Sequence, residues 1–224
     1  MGRLVPIVEG DGEVEAVPIL MRRYLAIKRR WDLQIARPKN AHGCGNLTKI
    51  GGLERFIELA FRERNCSGVL VLMDADSEEA CPVKLAADFV SRIHAHGARY
   101  PTAVVFARRE YEAWFVASLS TIAGASGVSP EAVFEGEVED LVGPKQWVSR
   151  NFPRDRIYKE TEDQAPMTDL IDFCVAATKS RSFRRFTNAM HDLIHAIDSQ
   201  QIVVTPSESI EMNDAFDNGV ASNI

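Results

Sequence analysis

The sequence has no uninterrupted apolar run near the roughly 20 residues that a membrane-spanning helix needs. Its first residues, Met1-Gly2-Arg3-Leu4-Val5-Pro6, run into an acidic segment and not into the long apolar stretch of a secretory signal. A cytoplasmic location is therefore expected, with no membrane partner. Cysteine is sparse: Cys44, Cys66, Cys81 and Cys174 form no CxxC pair and no cysteine–histidine cluster at zinc spacing. That argues against structural zinc and for four reduced thiols. No Walker phosphate loop is present. GDGEVE, from Gly10, lacks the third glycine of a dinucleotide fingerprint, and the strand-end glutamate before it would repel a pyrophosphate. There is no internal repeat.

A positive surplus is missing as well. The net charge is −6, and from Asp198 onward there are five acids (Asp198, Glu208, Glu211, Asp214, Asp217) and no Lys or Arg, which leaves a body near −1. Modules that bind nucleic acid alone usually carry a basic surplus, because phosphate contacts dominate their affinity. Any such contact here falls to a local patch or to a partner.

What is present suits one α/β domain. The 224 residues are 46% hydrophobic and 26% charged, enough for a single substantial core. Short buried strands are predicted at Arg3–Glu9, Leu33–Ala36, Val69–Met73 and Ala103–Ala107. Helices are predicted at Glu13–Arg30, Leu53–Arg64, Glu78–His96, Glu110–Ile122, Met167–Thr178 and Phe183–Ile197. Strands that alternate with helices argue for a mostly parallel sheet flanked by helices, closed by a C-terminal helical extension. The domain is expected to span 1–198, and 199–224 to be a flexible acidic tail.

In parallel sheets, sites gather beyond the carboxyl ends of strands. That rule selects Glu9, the pair Asp74 and Asp76, and the run Arg108-Arg109-Glu110. Glu9 ends an apolar strand beside glycines. Glu13 lies about a turn further on, either in the same cleft or simply complementing the helix dipole. Asp74 and Asp76 follow the most apolar strand. Two apart in an extended segment, they point the same way, and Mg²⁺ relieves the repulsion of such a pair. A DxD alone also marks turns and N-caps; its place after Val69–Met73 is what raises it.

These residues resemble a known family. VEGDGE before an apolar helix and LVLMDAD after a strand are similar to the Toprim domain of topoisomerases, primases and overcoming-lysogenization-defect (OLD) nucleases. The stretches VEGDGEVEAVPILMRRYL, GCGNLTKIGGLERF, VLVLMDADSEEACP, REYEAWFVAS, IYKETEDQAPM and SRSFRRF resemble, in order over residues 4 to 186, a bacterial Toprim-like family, domain of unknown function 4276. The resemblance implies a Toprim-like, Rossmann-like fold and a Mg²⁺-dependent nuclease, with Mn²⁺ as a substitute. Glu9 would transfer protons or hold a second metal, and Glu13, Asp74 and Asp76 would be ligands. Glu110 and Glu112 are candidates for further ligands, and Lys159 would face a phosphate. It also implies work beside an ATPase partner in bacterial defence; an oligomer is compatible with it. Glu78 stands where a third aspartate is usual, and no topoisomerase or primase machinery accompanies the motifs.

Arg108 and Arg109 are candidate phosphate contacts or a solvated strand end. Arg181, Arg184 and Arg185 in SRSFRRF form a basic patch for phosphate or an acidic partner, while Phe183 and Phe186 pack that helix on the body. Trp114 and Phe115 read as core, and Tyr111 is not expected to be a nucleophile. His191 and His195, four apart, lack the glutamate of a zinc motif. Two other functions compete: a non-catalytic Toprim-fold partner subunit, and a DxD phosphatase of the haloacid dehalogenase type, whose nucleophile normally sits on a first strand.

Overall fold

The computed structural model describes residues 1–75 and 81–206. Its frame is a sheet of order β2-β1-β4-β5-β6, with β1 Gly2–Val8, β2 Leu33–Ile35, β3 Lys39–Asn40, β4 Cys66–Ala75, β5 Thr102–Arg108 and β6 Val204–Thr205. The short β3 joins β1 at Ile7 and Val8, beyond β2. Every pairing among the described residues is parallel. The helices are α1 Asp11–Ile27, α2 Gly45–Thr48, α3 Gly52–Phe61, α4 Pro82–His96, α5 Ala113–Ala117, α6 Leu119–Ile122, α7 Pro144–Arg150, α8 Ala165–Asp169, α9 Phe173–Lys179 and α10 Arg181–Asp198.

Side-chain alternation divides each central strand between two cores. Leu4, Val8, Leu70, Leu72, Ala103 and Val105 join the core with α1, α5, α9 and α10. Val5, Ile7, Val69, Val71, Met73, Val104 and Phe106 join the core with α3 and α4. Both faces of β4 are therefore covered, which explains an apolar run without polar alternation. On the first side Trp114 meets Phe183 and Phe186 at ring separations of 5.3 and 5.7 Å, and its Nε1–H donates to Ser182 Oγ at 3.0 Å. Burying each such ring stabilises the fold by roughly 1.5–3 kcal/mol. Trp114 and Phe115 are thus core residues.

Three departures from the sequence reading have local causes. The helix expected over Glu110–Ile122 breaks into α5 and α6 at Ser118, whose Oγ accepts the Asp172 N–H at 2.7 Å. The one expected over Met167–Thr178 breaks into α8 and α9, because Asp172 caps α9 by accepting the Val175 N–H at 2.9 Å. The sheet also extends past residue 198, where the sequence places the end of the domain: Val204 and Thr205 pair with Thr102 and Ala103 as an edge strand. The rest of that segment, from residue 207, lies outside the described residues.

From β1 the chain passes through α1 to β2 on one side, then crosses to β4 on the other. Strand order reverses between β1 and β4, so a crevice opens at their carboxyl ends.

Candidate metal centre at the switch point

Glu9 follows the last residue of β1 and stands in this crevice. Its Oε2 accepts the Asp74 N–H at 3.3 Å and its Oε1 accepts the Cys44 N–H at 3.0 Å. The Gly43 N–H donates to the Glu9 carbonyl at 2.8 Å. Gly43 has φ +107, a backbone that L side chains rarely adopt. That turn lets successive N–H groups surround the glutamate, a small anion-holding nest. Asn46 Nδ2–H₂ fixes the turn by donating to the Ala41 and His42 carbonyls at 2.9 and 3.1 Å.

Asp74 is the penultimate residue of β4, in register with Ala107 of β5. It falls between Met73 and Ala75, which face the α3–α4 core, so alternation turns its side chain toward the α1–α5 side. Asp76 lies outside the described residues. Among the described residues no group of three or more His, Cys, Asp or Glu side chains is placed to hold a metal ion. Glu9 and Asp74 supply two hard oxygen-donor side chains from distant strands, the donor type that Mg²⁺ takes together with several waters.

A second polar cluster adjoins Asp74. Glu13 Oε2 accepts the Gly10 N–H at 2.9 Å, closing the first turn of α1. Burial raises its carboxyl above the ordinary range against that hydrogen bond, and the charge of Glu160 adds to the rise. The Tyr111 hydroxyl, wholly buried, shares a hydrogen bond of 3.0 Å with Thr168 Oγ1. Burial, and then the charges of Glu13, Glu112 and Asp74, hold its pKa far above normal. The charges of Glu13, Glu112 and Asp74 are thus all felt at this one hydroxyl. Such a hydroxyl is unsuited to nucleophilic attack.

Glu112 itself is corrected as a ligand. It is 1% exposed, and its Oε1 accepts from the Tyr158 hydroxyl at 2.8 Å and from Gln164 Nε2 at 3.5 Å. Burial pushes its pKa up to about 8, with Glu160 and Glu110 adding to the rise. It is a core carboxyl whose neutral form is favoured by burial. Glu110 has a structural task too: its Oε2 accepts the Lys145 N–H at 2.7 Å, at the start of α7.

The cations are redistributed in the same way. Lys159 is exposed and its Nζ pairs with Glu162 Oε1 at 2.9 Å. Lys145, which the sequence did not single out, is set among Glu110, Glu112 and Glu160, with Nζ 2.5 Å from Glu160 Oε1. Burial works against its charge, but the Glu160 hydrogen bond and the charges of Glu160, Glu112 and Glu110 outweigh it and raise its pKa. Glu160 and Gln164 sit on a π-helical turn, Glu160–Gln164, an irregularity common at functional sites. They fall in IYKETEDQAPM, so the signal was a motif, but nothing in sequence tied it to Lys145. Arg108 and Arg109 stand half-buried where β5 ends, Arg109 with φ +66. Arg184 is corrected as a phosphate contact: its Nη1–H donates to the Ala177 and Thr178 carbonyls at 2.7 and 3.3 Å, closing α9. Arg181 is exposed and Arg185 half-buried, four residues apart on α10, and burial followed by the charge of Arg181 lowers the Arg185 pKa. His191 and His195 stack with ring centroids 6.5 Å apart.

Fold and crevice define a doubly wound α/β protein with acidic residues at its switch point. A family model described as Domain of unknown function (DUF4276) matches residues 8–191, and the chain belongs to that family. Two solved structures resemble it. The C-terminal region of the Burkholderia pseudomallei OLD protein has 17% identity, covers 88% of this chain and 99% of its own, and gives a TM-score of 0.41. The C-terminal region of the Xanthomonas campestris pv. campestris OLD protein has 16% identity, covers 89% and 98%, and gives 0.38. No curated protein matches the chain. Among the described residues no helix is long and apolar enough to cross a membrane.

Proposed function

We propose that the protein is a Mg²⁺-dependent nuclease that hydrolyses phosphodiester bonds in DNA or RNA. One observation carries the reading: Glu9 and Asp74, 65 residues apart in sequence, meet at the β1–β4 switch point through the 3.3 Å hydrogen bond from Asp74 N–H to Glu9 Oε2. The order of Toprim-like motifs along the chain supports it. Asp74, Glu9 and Asp76 would hold the cation, with Glu13 behind them. When bound, the cation would activate water and neutralise charge on the phosphate.

The protein's own residues have separable tasks. The Gly43–Cys44 turn orients Glu9, and a carboxylate so placed can accept a proton from a water molecule beside it. Lys145 stands ready to offset charge that develops on phosphorus once it exchanges Glu160 for a phosphate oxygen. Lys159 and the arginines at the end of β5 would act further out. The mature assembly is proposed to include an ATPase, and to serve bacterial defence.

The test is cleavage of DNA and RNA with Mg²⁺ or Mn²⁺, with and without the ATPase partner. Wild-type protein should cut, and Asp74→Ala should reduce the rate at least 100-fold while it stays folded. A folded wild type that cuts under none of these conditions contradicts the proposal. If it instead hydrolyses small phosphate esters, the phosphatase reading is preferred.

A further inference from the structure

We infer that the open edge of β2 is a docking surface for single-stranded nucleic acid, with Arg22 and Arg37 on its phosphates and Trp31 stacked on a base. The inference rests on the nuclease reading for the identity of the substrate. It goes beyond it by assigning a surface remote from the acids.

Charge is the first observation. Between Met21 and Lys39 the sequence places seven basic residues (Arg22, Arg23, Lys28, Arg29, Arg30, Arg37, Lys39) against one acid, Asp32, inside a chain of net charge −6. The fold gathers Arg22, Arg30 and Arg37, with Arg3 from β1, around one groove of about 510 Å³ that also holds Trp31 and Gln34.

These arginines are not equivalent. Arg30 is tied to both oxygens of Asp32 at 2.8 Å and to Asp198 at 2.9 Å. Arg3 shares Glu63 with Lys39, at 3.2 and 2.8 Å. These two therefore form a fixed floor. Arg22 and Arg37 are exposed and make no ion pair among the described residues. Their guanidinium forks suit phosphate oxygens.

The aromatic group decides the kind of polyanion. Trp31 is 67% exposed, whereas Trp114 is fully buried. An exposed indole flanked by unpaired arginines is the pairing that single strands use, because every unpaired base offers a flat face. An acidic protein would use the arginines and leave the ring idle.

Position fits as well. Beyond Arg37 the chain forms β3 alongside Ile7 and Val8, then the turn whose Cys44 N–H holds Glu9. β2 pairs with Gly2, Arg3 and Leu4. Glu9 is five to seven residues further along β1, on the order of 15–25 Å at the rise of a strand. A strand seated in the groove can therefore run along this edge into the crevice.

The test is fluorescence anisotropy of labelled single-stranded DNA and RNA with the full chain in EDTA, so that binding is read without cleavage. Wild type should bind one or both. R22E/R37E should weaken binding at least tenfold and lower the log–log salt slope by about 1.4, roughly 0.7 per phosphate contact on a single strand. W31A should weaken it about tenfold, with W31F restoring most of the loss. All three side chains are exposed, and circular dichroism checks the fold. Because binding is read in EDTA and apart from cleavage, a wild type that binds here but never cuts fails the nuclease reading alone, and one that cuts but binds no better than R22E/R37E fails the docking alone. Variants that bind like wild type would overturn the inference. So would a wild type that binds polyglutamate or phosphatidylserine vesicles in preference to oligonucleotides.

Discussion

Glu112 shows how a single carboxyl can look like a ligand in sequence and be something else in the fold. REYEAW places Glu110 and Glu112 two apart after a strand, as a metal-binding pair would be. Tyr158, 46 residues later, turns one of them into a core group. Nothing near Glu112 in sequence announces that partner. Its pKa of about 8, against an ordinary 4.5, makes a test of stability. A carboxyl whose pKa is raised on folding contributes stability that is full below about pH 4.5 and is lost as pH rises through 8. Glu112→Gln cannot ionise, so denaturant midpoints at pH 5 and pH 8.5 should converge in that variant. Wild type should lose on the order of 3–5 kcal/mol more than the variant over that interval. Parallel profiles would show that Glu112 is ionised in the fold. Lys145 makes the complementary case: Lys145→Ala should lower the cleavage rate about 10- to 100-fold, while Lys159→Ala, whose ammonium pairs with Glu162 at the surface, stays within about twofold by the small worth of exposed ion pairs. The strand-end positions of Glu9 and Asp74 were legible in sequence, because each directly follows an apolar run.

At the scale of elements, central strands were legible and helix breaks were not. Val69–Met73 reads as buried because both of its faces are covered; the strand extends three residues earlier, where Cys66 and Gly68 pair with Arg3 and Leu4, and two later, where Asp74 and Ala75 pair with Ala107 and Arg108. Ser118 and Asp172 break helices through a hydrogen bond to each other's segment, which no local pattern contains. β6 was missed for a similar reason: two residues take their strand character wholly from β5. Gly12 belongs at this scale, since α1 starts so close to the π-helical turn that a Cβ there would collide with Gln164 Oε1 and lie 2.9 Å from Glu160 Cβ. The glycine of GDGE thus serves helix packing and not a pyrophosphate. Gly12→Ala gains about 1 kcal/mol of helix propensity and loses about 1–3 to overpacking. A net loss of up to about 2 kcal/mol in urea unfolding is expected. Unchanged or greater stability would mean that the turn yields.

For the whole molecule, the order β2-β1-β4-β5-β6 explains why acids so far apart in sequence converge. Strand order reverses between β1 and β4, which opens a crevice at their carboxyl ends. The parallel sheet and its flanking helices followed from alternating strand and helix patterns. The strand order did not, because several right-handed arrangements satisfy the same alternation. The near-neutral body leaves any phosphate contact to a local patch or a partner, and the sequence pointed to Arg181, Arg184 and Arg185 for that patch. Net charge hid a second one, since the basic residues between Arg22 and Lys39 are offset by acids elsewhere in the sequence. The central claim is that Glu9 and Asp74 act together on a divalent cation, and calorimetric titration of Mg²⁺ and Mn²⁺ into the full chain tests it most directly. Wild type should bind at least one ion, and Glu9→Gln and Asp74→Asn should each weaken that binding tenfold or more. A wild type that takes up no ion at millimolar concentrations, or variants that titrate as wild type does, would contradict the account.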